Sequence, residues 1–186
     1  MKSIILKKSG ETINFIRTGK DTQGSFAEII CTIPAGQKGP PTHIHPLQNE
    51  NFGVMEGILE LSAGGQKIVL APGESFNVIA NTAHTFSNPA NRETKFRATY
   101  TPALNIDYFL VQSFDALNRL SNPGRPGLQL IVDFDYIQKQ IPGQFVAAGV
   151  PAFVLTLFAG IGKLFKKHIV QSLEEHNRLF MQYLDY

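Results

Sequence analysis

Tryptophan is missing from the 186 residues, cysteine occurs once (Cys31), and charged side chains make up only 17% of the chain. Each shortage excludes something. A lone cysteine closes no internal disulfide, so packing must hold the fold, and a reducing compartment is consistent with it. A net charge of +2 with no block of like charges gives no footprint for a phosphate backbone. A helix pair with a basic face is also lacking, so neither a nucleic-acid partner nor a fused transcription regulator is expected. The basic start MKSIILKKSG contains an apolar part of only three residues (Ile4, Ile5, Leu6). A secretory signal needs a longer one, so we expect a mature, cytoplasmic protein.

Long hydrophobic runs are also scarce. The exception is residues 145–162, FVAAGVPAFVLTLFAGIG, which carry no charge. Pro151 suits a helix start and not a helix middle. A helix over 151–165 would be about 22 Å long, short of the roughly 30 Å of a bilayer core. The expectation is a helix buried against the rest of the protein or facing a dimer partner, and not a membrane span.

What is present is apolar and strand-like. Hydrophobic residues reach 43%, with 14 Phe, enough for a sizeable core. Residues 4–7, 12–17, 27–33, 51–54, 58–62, 67–71, 75–79, 84–87 and 95–101 read as short strands. They are rich in β-branched residues and separated by Gly, Pro and Asn. Such a series predicts an antiparallel barrel or sandwich. The pattern changes at Pro102. Residues 106–120, 128–140, 151–165 and 169–183 have apolar positions at helical spacing. We expect a barrel over 1–102 and a helical extension over 103–186 that packs on the barrel or on a second subunit.

The chemistry concentrates in two stretches. In the first, His43 and His45 form a His-x-His pair, and on a strand such a pair points to one face. Glu50 opens the next strand and shares a face with Phe52 and Val54. Two imidazoles and a carboxylate with open positions resemble the facial set that holds Fe(II) and related ions. His84, from the second stretch, supplies a third imidazole. A His-x-His pair alone is often an ordinary surface feature. The addition of Glu50 and His84 changes that, because a bare carboxylate inside a small barrel costs several kcal/mol and a metal removes the difficulty. The expectation is one divalent ion, Fe, Mn, Ni, Zn or Cu, held by His43, His45, Glu50 and His84. His168 and His176 lack that context and read as solvated or packing residues.

At this point the chain resembles a known family, the cupins. Their first motif reads Gly, five residues, His-x-His, three or four residues, Glu, six residues, Gly. Here His43, His45, Glu50 and Gly57 fall in register. The second reads Gly, five residues, Pro-x-Gly, two residues, His, three residues, Asn, matched by Gly73, His84 and Asn88. Gln37, Ile79 and Asn81 stand where the pattern has Gly, Pro and Gly. Asn tolerates left-handed backbone angles, so the turn at 81 should survive. The resemblance covers roughly residues 25–102. It implies a double-stranded β-helix, a jelly-roll-like barrel in which those four residues bind one metal, and frequent homodimers.

Around the metal we expect an apolar, aromatic pocket of Phe52, Val54, Phe86 and Phe96, with Tyr100 as a polar contact. On the last strand the set Phe96, Ala98, Tyr100 is taken to face inward, leaving Lys95 and Arg97 outside. Gln48 either hydrogen-bonds a metal-bound group or is an exposed loop residue. The leading expectation of function is a metal-dependent oxidoreductase, dioxygenase-like, acting on a small aromatic or enolic compound. In it Glu50 is a ligand, or a base after detaching. The alternatives are a non-oxidative isomerase or lyase, and a non-catalytic module for a small ligand or metal.

Overall fold

A computed structural model describes residues 2–119, 127–148 and 170–182. Strands β1 (Ser3–Leu6), β2 (Glu11–Arg17), β3 (Ala27–Ile33), β4 (His43–Ile44) and β5 (Asn49–Glu56) come first. They are followed by β6 (Leu59–Ala63), β7 (Gln66–Leu70), β8 (Ser75–Val78), β9 (His84–Ser87) and β10 (Thr94–Thr101). Helices α1 (Ile106–Arg119) and α2 (Gly127–Gln140) lead to a short strand β11 (Val146–Ala147), and α3 (Leu173–Gln182) comes last.

The strands form two antiparallel sheets facing one another, a double-stranded β-helix. One has six strands in the order β1-β2-β3-β10-β5-β8, the other five in the order β11-β4-β9-β6-β7. Alternation fixes which side faces in. Along β10, Thr94, Phe96, Ala98 and Tyr100 are buried, while Arg97 and Thr101 are exposed. Along β3, Ala27, Ile29, Cys31 and Ile33 are buried. The expected inward face of the last strand is the observed one. The β6–β7 hairpin turns on Gly64 and Gly65, both at positive φ (57° and 80°), between the paired Ala63 and Gln66. Two central residues of that kind match the right-handed twist of the flanking strands.

Helix α1 lies against this barrel, and α2 and α3 pack on α1. Asn118 on α1 accepts from the Lys7 amide at 2.8 Å and donates to the Ile5 carbonyl at 2.7 Å, which closes the outer edge of β1. α3 starts at Leu173, later than the periodicity predicts. The Glu175 amide donates to Ser172 Oγ at 3.1 Å, so Ser172 caps the helix and residues 170–172 lie outside it. His176 on α3 is buried, packs edge-on against Tyr108 (5.3 Å between ring centroids) and has its Nε2 3.7 Å from Asp107 Oδ2. The expected helix over 151–165 lies outside the described residues. Among the described residues, no helix is long and apolar enough to cross a membrane.

Candidate metal centre

His43 on β4 sits directly opposite His84 on β9. β5, in the other sheet, carries Glu50 inward between Tyr100 on β10 and Val78 on β8. The two sheets thus meet at four side chains, three from one short stretch of sequence and His84 from another. His43, His45, Glu50 and His84 are all buried, with exposures of 5, 4, 2 and 1%. One potential ligand atom from each lies within 4.8 Å of all the others. His84 Nε2 is 2.9 Å and His45 Nε2 is 3.5 Å from Glu50 Oε2.

The imidazoles are oriented from behind. His43 Nδ1 faces the Pro41 carbonyl at 3.0 Å, His84 Nδ1 the Thr82 carbonyl at 2.9 Å, and His45 Nδ1 the Gln144 carbonyl at 3.3 Å. A carbonyl only accepts, so the nitrogen facing it carries hydrogen and Nε2 is left for the centre. His84 then faces a carboxylate with its Nε2 as well. Two acceptors at 2.9 Å repel, so a proton has to lie between His84 and Glu50 when no cation is there. A divalent ion fits that position: three neutral nitrogens and one carboxylate oxygen, buried and convergent, suit a first-row divalent metal.

The titration directions agree. Burial pushes the His43 imidazole down to about 4, helped by the neighbouring His84. Burial also lowers His45, against the pull of Glu50. Burial acts to lower His84 too, but its hydrogen bond and charge contact with Glu50 outweigh this and raise it. Burial acts to raise Glu50, and the three imidazoles together bring it below its ordinary value. Two neutral imidazoles beside one imidazolium–carboxylate pair is the consistent metal-free state.

The remaining expected residues divide. Phe52, Phe86 and Phe96 pack on one another at 5.2–5.8 Å between centroids, and Phe52 touches His84 edge-on at 6.1 Å. They form an aromatic floor beneath the cluster, with Val54 buried alongside on β5. Tyr100 stands against His45 at 5.7 Å between ring centroids and lies opposite Glu50 in the pairing of β10 with β5. Burial, then the charge of Glu50, pushes that phenol well above its usual range, so it stays protonated. Gln48 corrects the sequence reading. It is buried, not an exposed loop residue, and its amide nitrogen donates to Pro102 (2.9 Å) and Ala103 (2.8 Å) carbonyls. Both hydrogens are thereby engaged in tying the first motif to the end of the barrel, and neither is left for a metal-bound group.

Sequence reasoning missed two residues. Phe145 stacks on His43 (5.1 Å, 21° between planes), meets His45 edge-on (5.7 Å), and stacks on Phe109 of α1 (4.2 Å). Gln144 supplies the carbonyl behind His45. Both precede β11, which pairs with β4. In the sequence, Phe145 reads as the first residue of an uncharged run; the Pro142-Gly143 break just before it is the one local sign that the chain turns there.

Comparison with known proteins agrees with this geometry. A cupin domain family model matches residues 29–100. Residues 29–100 of this chain form a cupin domain. A curated relative of this cupin is the quercetin 2,3-dioxygenase of Bacillus subtilis, 31% identical over 90 residues. That match takes in 48% of this chain and 26% of the relative, so the cupin spans about a quarter of that protein's length. Among solved structures, KdgF from Halomonas sp. superposes with a TM-score of 0.50 at 16% identity, covering 57% of this chain and 91% of KdgF. A sugar phosphate isomerase of the cupin superfamily from Silicibacter pomeroyi gives 0.46 at 21% identity, over 54% and 71% of the two chains. At that identity the likeness to KdgF speaks for the fold alone, and the likeness to the isomerase carries no argument.

Proposed function

We propose that this cupin binds one divalent metal ion through His43, His45, Glu50 and His84 and is a dioxygenase-like oxidoreductase acting on a small aromatic or enolic compound. The observation that carries the reading is the buried three-imidazole, one-carboxylate cluster, whose donor atoms lie within 4.8 Å of one another above an aromatic floor. The partial likeness to a quercetin dioxygenase supports the oxidative choice. A metal bound here would supply Lewis acidity and open positions for dioxygen and an enolate oxygen. The chain's own residues do the rest. The three backbone carbonyls fix the imidazole tautomers. Phe52, Phe86 and Phe96 exclude water from below, and Tyr100, paired with Glu50 across β10 and β5, keeps its phenol proton. Should Glu50 detach from the metal, it becomes a base with that phenol beside it.

A non-oxidative reaction on an anionic sugar or keto acid calls for cations at the site. Lys95 and Arg97 face outward instead, near Glu56 (3.9 Å) and Glu28 (3.5 Å). The oxidative reading is therefore preferred over the isomerase or lyase. Elemental analysis of protein purified without chelators should give about one metal per chain, with a large loss in His84→Ala. Metal-loaded protein should then consume oxygen with a flavonol, a catechol or a β-diketone. A metal-replete protein that consumes none with any of the three would point to the non-catalytic module.

A further inference from the structure

We infer that the segment 141–148 is a structural part of the metal centre, so that metal loading and docking of the helical extension are coupled. The inference rests on the metal-binding reading above and adds a device to it. Two of the three imidazoles are oriented by their own strands: the carbonyls behind His43 and His84 belong to residues two positions earlier, Pro41 and Thr82. The carbonyl behind His45 comes from Gln144, 99 positions later. The barrel sequence alone therefore leaves His45 without the partner that sets its tautomer and ring angle. Partners of this kind are worth about 10–100-fold in metal affinity.

The segment is fixed at both sides. On the barrel side, Val146 and Ala147 pair with Ile44 and His43, and the Ala148 amide donates to the Thr42 carbonyl at 3.0 Å. On the helical side, Gln144 Oε1 accepts from the Asn105 amide at 3.0 Å, just before α1. Phe145 lies between the His43 ring and the Phe109 ring, in contact with both. A continuous stack thus runs from α1 through Phe145 to a ligand imidazole. Gly143 at φ 74° makes the turn that aims the Gln144 carbonyl. Anything that shifts the extension moves the backs of His45 and His43, and anything that fixes those rings holds the extension. The two effects are equal as binding free energies.

The test uses Zn(II) alone as the probe on the full chain. In a chelator competition titration, Phe145→Ala and Gly143→Ala should each bind zinc about 10-fold or more weakly than the parent. At Gly143 a Cβ meets no atom within 4 Å, so that variant challenges only the backbone angle. Hydrogen exchange in the parent should slow at residues 144–148 when zinc is added. His45→Ala, which removes the imidazole that the Gln144 carbonyl faces, should lose that zinc-dependent protection. Affinities within 2-fold of the parent in folded variants, or exchange in 144–148 indifferent to zinc, would overturn the coupling while leaving the metal site standing. A parent that binds no zinc, copper, iron, manganese or nickel would instead remove the reading beneath it. If either variant fails to fold, the exchange experiment on the parent decides.

Discussion

Asn88 offers a sharp test of how the second motif holds the barrel. It follows β9 and is 1% exposed. Its Oδ1 accepts from the Ala90 amide at 3.0 Å, while Nδ2 donates to the carbonyls of Ile33 (3.1 Å), Pro34 (3.0 Å) and Arg92 (2.7 Å). Two hydrogens serve three carbonyls, so one is shared. The change Asn88→Asp preserves shape and leaves no cavity, but it replaces the donor by an oxygen facing three acceptors. Losing two hydrogen bonds at about 1 kcal/mol each, and leaving buried carbonyls unsatisfied at about 1–3 kcal/mol, gives a loss of roughly 4 kcal/mol at neutral pH. A protonated carboxyl restores one donor, so the loss should shrink to about 2 kcal/mol in acid. The sign follows from linkage. The fold raises the pKa of the introduced carboxyl above its unfolded value of about 3.9, so the folded state binds more protons and stability falls as pH rises from there. Urea unfolding of chelator-treated parent and variant at about pH 7 and about pH 5, with unchanged m-values, measures the neutral loss and shows it beginning to shrink. A difference below about 1 kcal/mol at neutral pH, or the same difference at both, would refute the donor accounting.

Three glycines separate backbone angle from crowding. A Cβ at Gly57 (φ 82°) would lie 2.6 Å from the Glu93 carbonyl oxygen and 2.7 Å from Thr94 Cα, at Gly73 (φ 89°) it meets nothing, and at Gly53 it meets nothing and φ is not positive. Substitution by Ala should cost about 3 kcal/mol or more at Gly57, about 1 kcal/mol at Gly73 and nothing measurable at Gly53 in urea titrations, and equal costs would sink this ranking. Acid should weaken the metal-free barrel, because the unfolded chain protonates His43 near 6.5 and the folded one only near 4. That amounts to roughly 3 kcal/mol lost as pH falls through the window. The raised His84 works the other way, contributing below its ordinary value and losing that contribution as pH rises through its folded one. Thermal melts of His43→Gln should show a flatter acid limb than the parent, and parallel limbs would contradict the assignment. Saturating metal at about 100-fold above its Kd should stabilise the parent by about 2.7 kcal/mol and His84→Ala far less, as read by the shift in the urea midpoint.

Spacing carried the barrel because its signals are local. His43 lies on β4 and His45 just past its end, so their convergence and the alternation of β10 both follow from extended-chain geometry. The departures from the cupin pattern are absorbed in the same local way. Asn81 sits at φ 65°, the left-handed angle the missing glycine would take. Near Gln37 the positive φ belongs to Gly36 (69°), one residue earlier. Ile79, in place of the proline, is exposed and disturbs no packing. The start of α3 was misplaced because periodicity cannot see a cap, and Ser172 sets that boundary. Gln48 was misjudged because position beside a motif says nothing about where an amide finds carbonyls.

The segment 141–148 was illegible for a deeper reason. A strand of two residues has no period, and Val146-Ala147 is one. Its identity as a strand comes from β4, whose edge it covers, and not from its own residues. The same holds for Gln144, whose functional atom is a backbone carbonyl that any residue would supply. The motif therefore specifies which side chains converge and leaves unspecified what orients the back of His45. Glycine or alanine at position 144 would keep that carbonyl but lose the Oε1 contact to Asn105. Such a substitution separates the two contributions of the residue, and the geometry places most of the tautomer control in the main chain and only the anchoring in the side chain.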